Sequence, residues 1–394
     1  MKHMTLRAAL SAALLLNLSW VPAAQAQTAY SLTVLKPAAT QFQSRLSDLD
    51  TWYIDAGNRV TGTANWITSY TLTYVGAIKP LFNDFPSRWA AGTGTSVSPT
   101  KLYTAHWDRL AAASPNGQLL LLNFTRQLYD TASRKATPID YNSGSPSAVN
   151  NSGLVALTLL PDSNLPSPLA PRRIPATWRS GGVVTALPVG TAGGGIAIAV
   201  NGSGLVAGSV QDLVTGVPHG ALWSGSTLQA LPDAPGAASH LIALNDLGQS
   251  LVVRSTVDCP QPGVVACSYG PRSLALRFAD GTEQAVSPLS GHSLARAVLN
   301  GKGVVAGRLQ LTPAQGENRS YPSLDRGYNP VDGRAFIWAN GVTQDLGSYL
   351  AGKGVKLPTG ARLVDVVAIN DQGSMVAEMV AADQSTSFVR LTAR

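Results

Sequence analysis

The chain is poor in most of the residue types that announce chemistry. Only 13% of its 394 residues are charged, and glutamate occurs only at Glu283, Glu317 and Glu378. A carboxylate pair for glycoside chemistry would therefore rest mostly on aspartates, several of which sit in loop-like stretches: Asp162, Asp212, Asp258, Asp325 and Asp332. The five histidines, at 3, 106, 219, 240 and 292, form no H-x-x-x-H or H-E-x-x-H pattern, so no metal site is expected. No G-x-S-x-G precedes a helical pattern, and no glycine-rich loop leads into one, which leaves no nucleophile elbow and no cofactor cradle. No cofactor is expected. Runs of Lys or Arg are absent, so the basic excess reads as a solvated surface and not as a nucleic-acid stripe.

Long apolar runs are missing too, except at the start. Lys2 and Arg7 precede the apolar stretch 8–16, and "VPAAQAQ" ends in a small-x-small pattern. This is the tripartite form of a secretory signal peptide over 1–26, cut after Ala26. Cleavage removes Lys2 and Arg7 and leaves 27 basic against 22 acidic residues. Beyond residue 27 no segment is long and apolar enough to span a bilayer, so the expected product is secreted or periplasmic, without stable membrane insertion. Cysteine use agrees: Cys259 and Cys267, in a Pro/Gly-rich loop, are expected to pair in an oxidising compartment.

What the chain has in abundance is glycine, proline and repetition. "AVNNSGLVAL" at 148–157 returns as "AVNGSGLVAG" at 199–208, "ALNDLGQSLV" at 243–252 and "AINDQGSMVA" at 368–377. Aligned on glycine, the copies fall at Gly57, Gly117, Gly153, Gly204, Gly248, Gly303 and Gly373. The five clear ones place an Asn three residues earlier, at 150, 201, 245, 300 and 370; the first two, "YIDAGNRVTG" and "AASPNGQLLL", are degenerate. An aliphatic run, Asn, two small or polar residues, Gly and a second aliphatic run describe a hairpin: the Asn side chain bonds turn backbone and Gly takes the positive φ.

A second signature follows each hairpin: "PSRWAAGT", "PATWRSGG", "HGALWSGS", "LALRFADG" and "RAFIWANG". It reads as a third strand ending on an aromatic residue, then a tight turn into a fourth strand such as "VTQDLG". Trp89, Trp178, Trp223, Phe278 and Trp338 then form inter-repeat core. Four antiparallel strands repeated seven times predict an all-β, seven-bladed β-propeller over 27–394. The last repeat supplies three strands, so "YSLTVLKP" near the mature N-terminus is expected to complete that blade and close the ring. Two β-sandwich domains are the alternative architecture.

The hairpin followed by "(H)AF-x-W-x-x-G" resembles the bacterial HAF-repeat family of extracellular propeller-like proteins, best in "RAFIWANG" and from about 144 to the end. His219 stands in the His position of "HGALW" and Arg334 in that of the last full copy. The resemblance implies a fold and a compartment more than an activity.

For function, two readings stand. The first is a binding or structural module, not an enzyme, for an extracellular glycan or protein. Its contacts are placed in the insertion 311–333, at Arg319, Tyr321, Asp325, Arg326 and Tyr328, a Tyr/Arg mixture favoured at recognition surfaces. This insertion, with 63–85 and 254–272, falls on the ring face that carries the second-to-third and fourth-to-first connections. The rival reading is a polysaccharide hydrolase or lyase with carboxylates at the channel mouth. There His240 and Asp365, each five residues before a motif Asn, are the candidate acid–base pair. Mass spectrometry of the exported protein is expected to show Gln27 as its first residue; a mature chain that retains Met1 would overturn the leader assignment.

Overall fold

A computed structural model describes residues 29–36, 51–72, 78–92, 94–103, 108–140, 144–160, 173–258, 267–311 and 333–394, with the backbone alone over 65–72 and 78–83. The expected leader, Cys259 and the insertion that carries Arg319, Tyr321, Asp325, Arg326 and Tyr328 lie outside the described residues. The chain forms seven antiparallel sheets arranged as the blades of a β-propeller. Blade one spans 53–101, blade two 110–138, blade three 144–186, blade four 194–230, blade five 237–285, blade six 292–345 and blade seven 362–393. In blades one to six the four strands follow chain order outward from the innermost.

Closure follows the sequence expectation. Tyr30–Leu35 pairs antiparallel with Thr386–Ala393, from Tyr30↔Ala393 to Leu35↔Phe388, and so becomes the fourth strand of blade seven. Ser96–Val97 adds a short parallel fifth strand outside it. The unpaired edge that each chain end would otherwise present is thereby covered.

Each seam between neighbouring blades holds its own cluster of buried apolar side chains. The recurring tryptophans are at their centres: Trp89, Trp178, Trp223 and Trp338 are all buried. Each faces a valine across the sheet, as Trp89↔Val60, Trp178↔Val155, Trp223↔Val206 and Trp338↔Val305. Burying one such side chain contributes about 2 to 3 kcal/mol. Blade five departs from the expected register. Arg277, opposite Ser250, holds the tryptophan position, while Phe278 lies one residue on, in the turn, with its N–H bonded to Thr282.

The repeated hairpin turns share one face of the ring, and their asparagines join the blades. In blade three Asn150 Oδ1 accepts from the N–H groups of Ser152 and Leu154, closing its own turn at 3.0 Å each. Its Nδ2 donates to the main-chain oxygen of Asn201 in blade four at 2.8 Å. The same link runs from Asn201 to Asn245 (3.2 Å), Asn245 to Asn300 (3.0 Å) and Asn300 to Asn370 (3.0 Å). Asn370 then reaches Asp55 O of blade one at 2.8 Å, across the closing seam.

Blade one corrects the alignment on Gly57. Asp55 holds the Asn place, accepting from Arg59 N–H at 2.9 Å, and Asn58 adopts the positive φ of 61°. Its expected loop insertion, 63–85, is also different: Val60–Leu72 and Ile78–Trp89 pair along their whole length as one extended hairpin. Alternating Gly and Asp after the motif Asn has a steric reason. Gly202 N–H donates to Asp246 Oδ1 at 2.6 Å and Gly301 N–H to Asp371 Oδ1 at 2.5 Å. A Cβ at Gly301 would meet that carboxylate at 2.7 Å.

Replacing Asn245 by Ala is expected to cost about 2 kcal/mol, because buried turn N–H groups and a carbonyl lose their partner. Asn245→Asp keeps the acceptor but loses the donor across the seam, so it is expected to lose much of the same stability. Urea unfolding checks both. Full stability of the Asp variant would show that the cross-seam bond contributes nothing.

Candidate functional site

On the opposite face, between blades six and seven, lies an open pocket of about 990 Å³. Its outer wall is the connection from blade six into blade seven, which contains the only helix among the described residues, α1 (Leu346–Gly352). The fourth strand expected over "VTQDLG" is shorter, Val342–Asp345. The strand stops at Asp345, whose side chain caps the helix by accepting from Ser348 N–H at 2.8 Å and Ser348 Oγ at 2.9 Å. Leu346 and Leu350, four apart, are fully buried against the seam between blades six and seven and pin the helix down. The Asp cap and this spacing were the available signal.

Blade six supplies the inner wall with His292, Leu311, Gly333 and Arg334, and blade seven closes it with Arg362 and Leu363. Arg334 Nε pairs with Asp345 at 3.1 Å. Arg362 Nη1 donates to Gly333 O at 2.9 Å, tying the entry of blade seven to the third strand of blade six. His292 Nδ1 lies 2.8 Å from Ser290 O, which fixes the proton on that nitrogen. Leu311 and Gly333, the described residues next to segment 312–332, both line the pocket.

The two acid–base candidates sit in different seams. His240, on the innermost strand of blade five, is 4% exposed and its Nδ1 lies 3.0 Å from Ser209 Oγ of blade four. Burial, helped by Arg272, pushes its imidazole down to about 4, so it is neutral at pH 7. Asp365, on the innermost strand of blade seven, is ion-paired at 3.1 Å with Arg296 of blade six. Asp212 holds its own loop, accepting from Val214 N–H, Thr215 N–H and Thr215 Oγ1. Asp258 ends the second strand of blade five. Asp162, Asp325 and Asp332 lie outside the described residues, and no group of three or more potential metal ligands occurs among the described ones.

A polar network not foreseen from the sequence occupies the seam between blades four and five. Asp233 Oδ2 accepts from Ser239 Oγ at 2.6 Å and lies 2.9 Å from His219 Nδ1, while Ser239 Oγ accepts from Gly220 N–H at 2.7 Å. Arg254 Nε stands 3.6 Å from the other oxygen of Asp233 and clasps Glu283 with both terminal nitrogens at 2.5 and 2.8 Å. Burial pushes Asp233 up, but the bonds from His219 and Ser239 outweigh it and leave the carboxyl below its ordinary range. The bond to Asp233 raises His219 in return. Serine, histidine and aspartate are all present, yet serine and histidine both bond to the aspartate. The arrangement fastens two blades and does not activate a nucleophile.

The two histidines act on stability in opposite senses. His240 has a folded value near 4 against about 6.5 unfolded, so its contribution is full above 6.5 and is lost as pH falls through 4. His219, raised in the fold, contributes below its unfolded value and loses that contribution as pH rises through the folded one. His240→Asn is expected to reduce the stability lost between pH 7 and pH 4 by at most about 3 kcal/mol. Parallel urea titrations at the two pH values measure it; an unchanged difference would mean that this imidazole is not held neutral.

No family model matches the chain, and no curated protein matches it. Among solved structures it is similar to the β-propeller domain of the Trilobed protease from Pyrococcus furiosus. The two share 6% identity over 88% of this chain and 95% of that one, with a TM-score of 0.52. That domain is described as having an open velcro topology, whereas Tyr30–Leu35 zips this ring shut. The chain is also similar to a puromycin-hydrolysing peptidase from Mycobacterium tuberculosis, at 13% identity and a TM-score of 0.50, over 92% of this chain and 55% of that one. At such identities the likeness shows the fold, a β-propeller.

Proposed function

We propose that this chain is an exported binding module whose ligand occupies the pocket between blades six and seven. The observation that carries the reading is the position of that pocket. It lies where the chain leaves and re-enters blade six around 312–332, the segment that contains Arg319, Tyr321, Asp325, Arg326 and Tyr328. Its volume, about 990 Å³, is at the upper end of the range of ligand sites. The walls are held by a capped helix and main-chain bonds, which is the preorganisation a binding site needs.

Export rests on the leader over 1–26, and no helix among the described residues is long and apolar enough to cross a membrane. The resemblance of "RAFIWANG" and its hairpin to HAF repeats belongs to the same proposal, as does the Cys259–Cys267 bridge. Asp258 and Ser268 pair across the sheet, so the two cysteines adjoin paired residues.

The test is a combined peptide and glycan array probed with the mature protein and with Ala351→Trp. Ala351 is an exposed residue of α1 that lines the pocket, so the indole fills it from the helix side. Binding seen with the parent is expected to weaken at least tenfold in the variant, with an unchanged melting temperature. Array binding unaffected by Ala351→Trp would move the site elsewhere.

A further inference from the structure

Among the described residues the pocket lining mixes cationic with aliphatic side chains. Among the same described residues its fixed charges are Arg334, Lys356 and Arg362 against a single carboxylate, Asp345. Asp345 is already engaged, by the first turn of α1 and by Arg334. Lys356 is exposed and makes no ion pair among the described residues. The Arg362 guanidinium is held at the wall, its Nη1 donating to Gly333 O. Beside these cations stand Leu311, 57% exposed, with Val355, Leu357 and Leu363. No Phe, Tyr, Trp, Asn or Gln side chain lines the pocket among the described residues.

We propose that this pocket takes an acidic peptide segment, one that carries carboxylates next to aliphatic side chains. The inference rests on the pocket being the ligand site, and it adds the chemistry of the ligand. Carboxylates meet the exposed Lys356, where charge-assisted bonds are the strong ones. Aliphatic side chains cover Leu311, which is exposed to water, and the half-buried Leu357 beside it in the lining. The formal charge of the whole chain, +7 before the leader is removed, has the sign that steers such a segment inward.

Fluorescence anisotropy with three labelled probes tests it: a decapeptide of alternating Glu and Leu, the same peptide with Gln for Glu, and an oligogalacturonate. The Glu/Leu peptide is expected to bind at least tenfold more tightly than the Gln/Leu peptide and the oligogalacturonate, and to weaken as salt is raised. Lys356→Glu and Lys356→Gln are expected to weaken it at least tenfold and at least threefold. Lys302→Glu, the same charge change in a turn on the opposite face, is expected to change it less than twofold. Equal binding of the Glu/Leu and Gln/Leu peptides, preference for the oligogalacturonate, equal effects of Lys302→Glu and Lys356→Glu, or no binding of the acidic peptide would overturn the proposal. Replacement of 312–332 by a short Gly/Ser link covers the remaining occupant: acidic-peptide binding that appears only then would mean that this chain's own segment fills the pocket, and would overturn it too. Array ligands that Ala351→Trp blocks but that carry no acidic group would leave the binding module standing and remove only its charge preference.

Discussion

One side-chain amide, repeated around the ring, sets the geometry on which the rest depends. The motif Asn uses its oxygen to close its own turn and its nitrogen to reach the main chain of the next blade. No other residue of that size does both, since Asp has no donor and Ser is too short to span the seam. Each such bond contributes only about 1 kcal/mol net, but leaving its buried partners unmade costs about 1 to 3 kcal/mol. Five links in series therefore fix the angle between blades more than they deepen the stability of any one blade. Where the amide is missing, other groups bridge the gap. Between blades one and two the Arg88 guanidinium reaches Gly117 O and the Tyr53 hydroxyl reaches Pro115 O. Between blades two and three Asn116 N–H donates to Asn151 Oδ1 at 2.9 Å.

A face committed to this ring of links has little freedom, and the variation goes to the other one. There the connections differ in length, one of them folds into α1, and the pocket forms between two blades whose relative position the Asn300 to Asn370 link has already set. The division follows from strand arithmetic: with tight first-to-second and third-to-fourth turns on one face, all other connections must emerge on the opposite face.

The architecture was legible because its signals are local. Asn and Gly three residues apart, between aliphatic runs, are a turn wherever they stand, and repetition supplied the ring. What was misread was also local but degenerate. In blade one an Asn in place of Gly at the positive-φ position shifted the alignment by a residue. In blade five Arg277 usurps the tryptophan register, and only the pairing with Ser250 reveals it. The pocket was not legible, because it joins His292, Arg334, Lys356 and Arg362, four positions that no periodicity connects. Nor was the Asp233 network, whose members come from two blades and meet only after both have folded.

The seam between blades seven and one bears the cost of closing the ring, because its partners are more than 300 residues apart in the chain. It is fastened accordingly. Trp52 stacks on Phe388 with centroids 4.5 Å apart, and Tyr30–Leu35 runs the length of Thr386–Ala393. Arg390, fully buried, donates to Asn58 O, Ala90 O and Gly92 O at 3.0, 2.7 and 2.5 Å. Burial lowers its guanidinium below the ordinary value, yet three carbonyl dipoles keep it charged in place. Blade seven is thus held by the closing seam on one side and forms a wall of the pocket on the other. A ligand that bridges blades six and seven binds only the closed ring, and by mass action stabilises it.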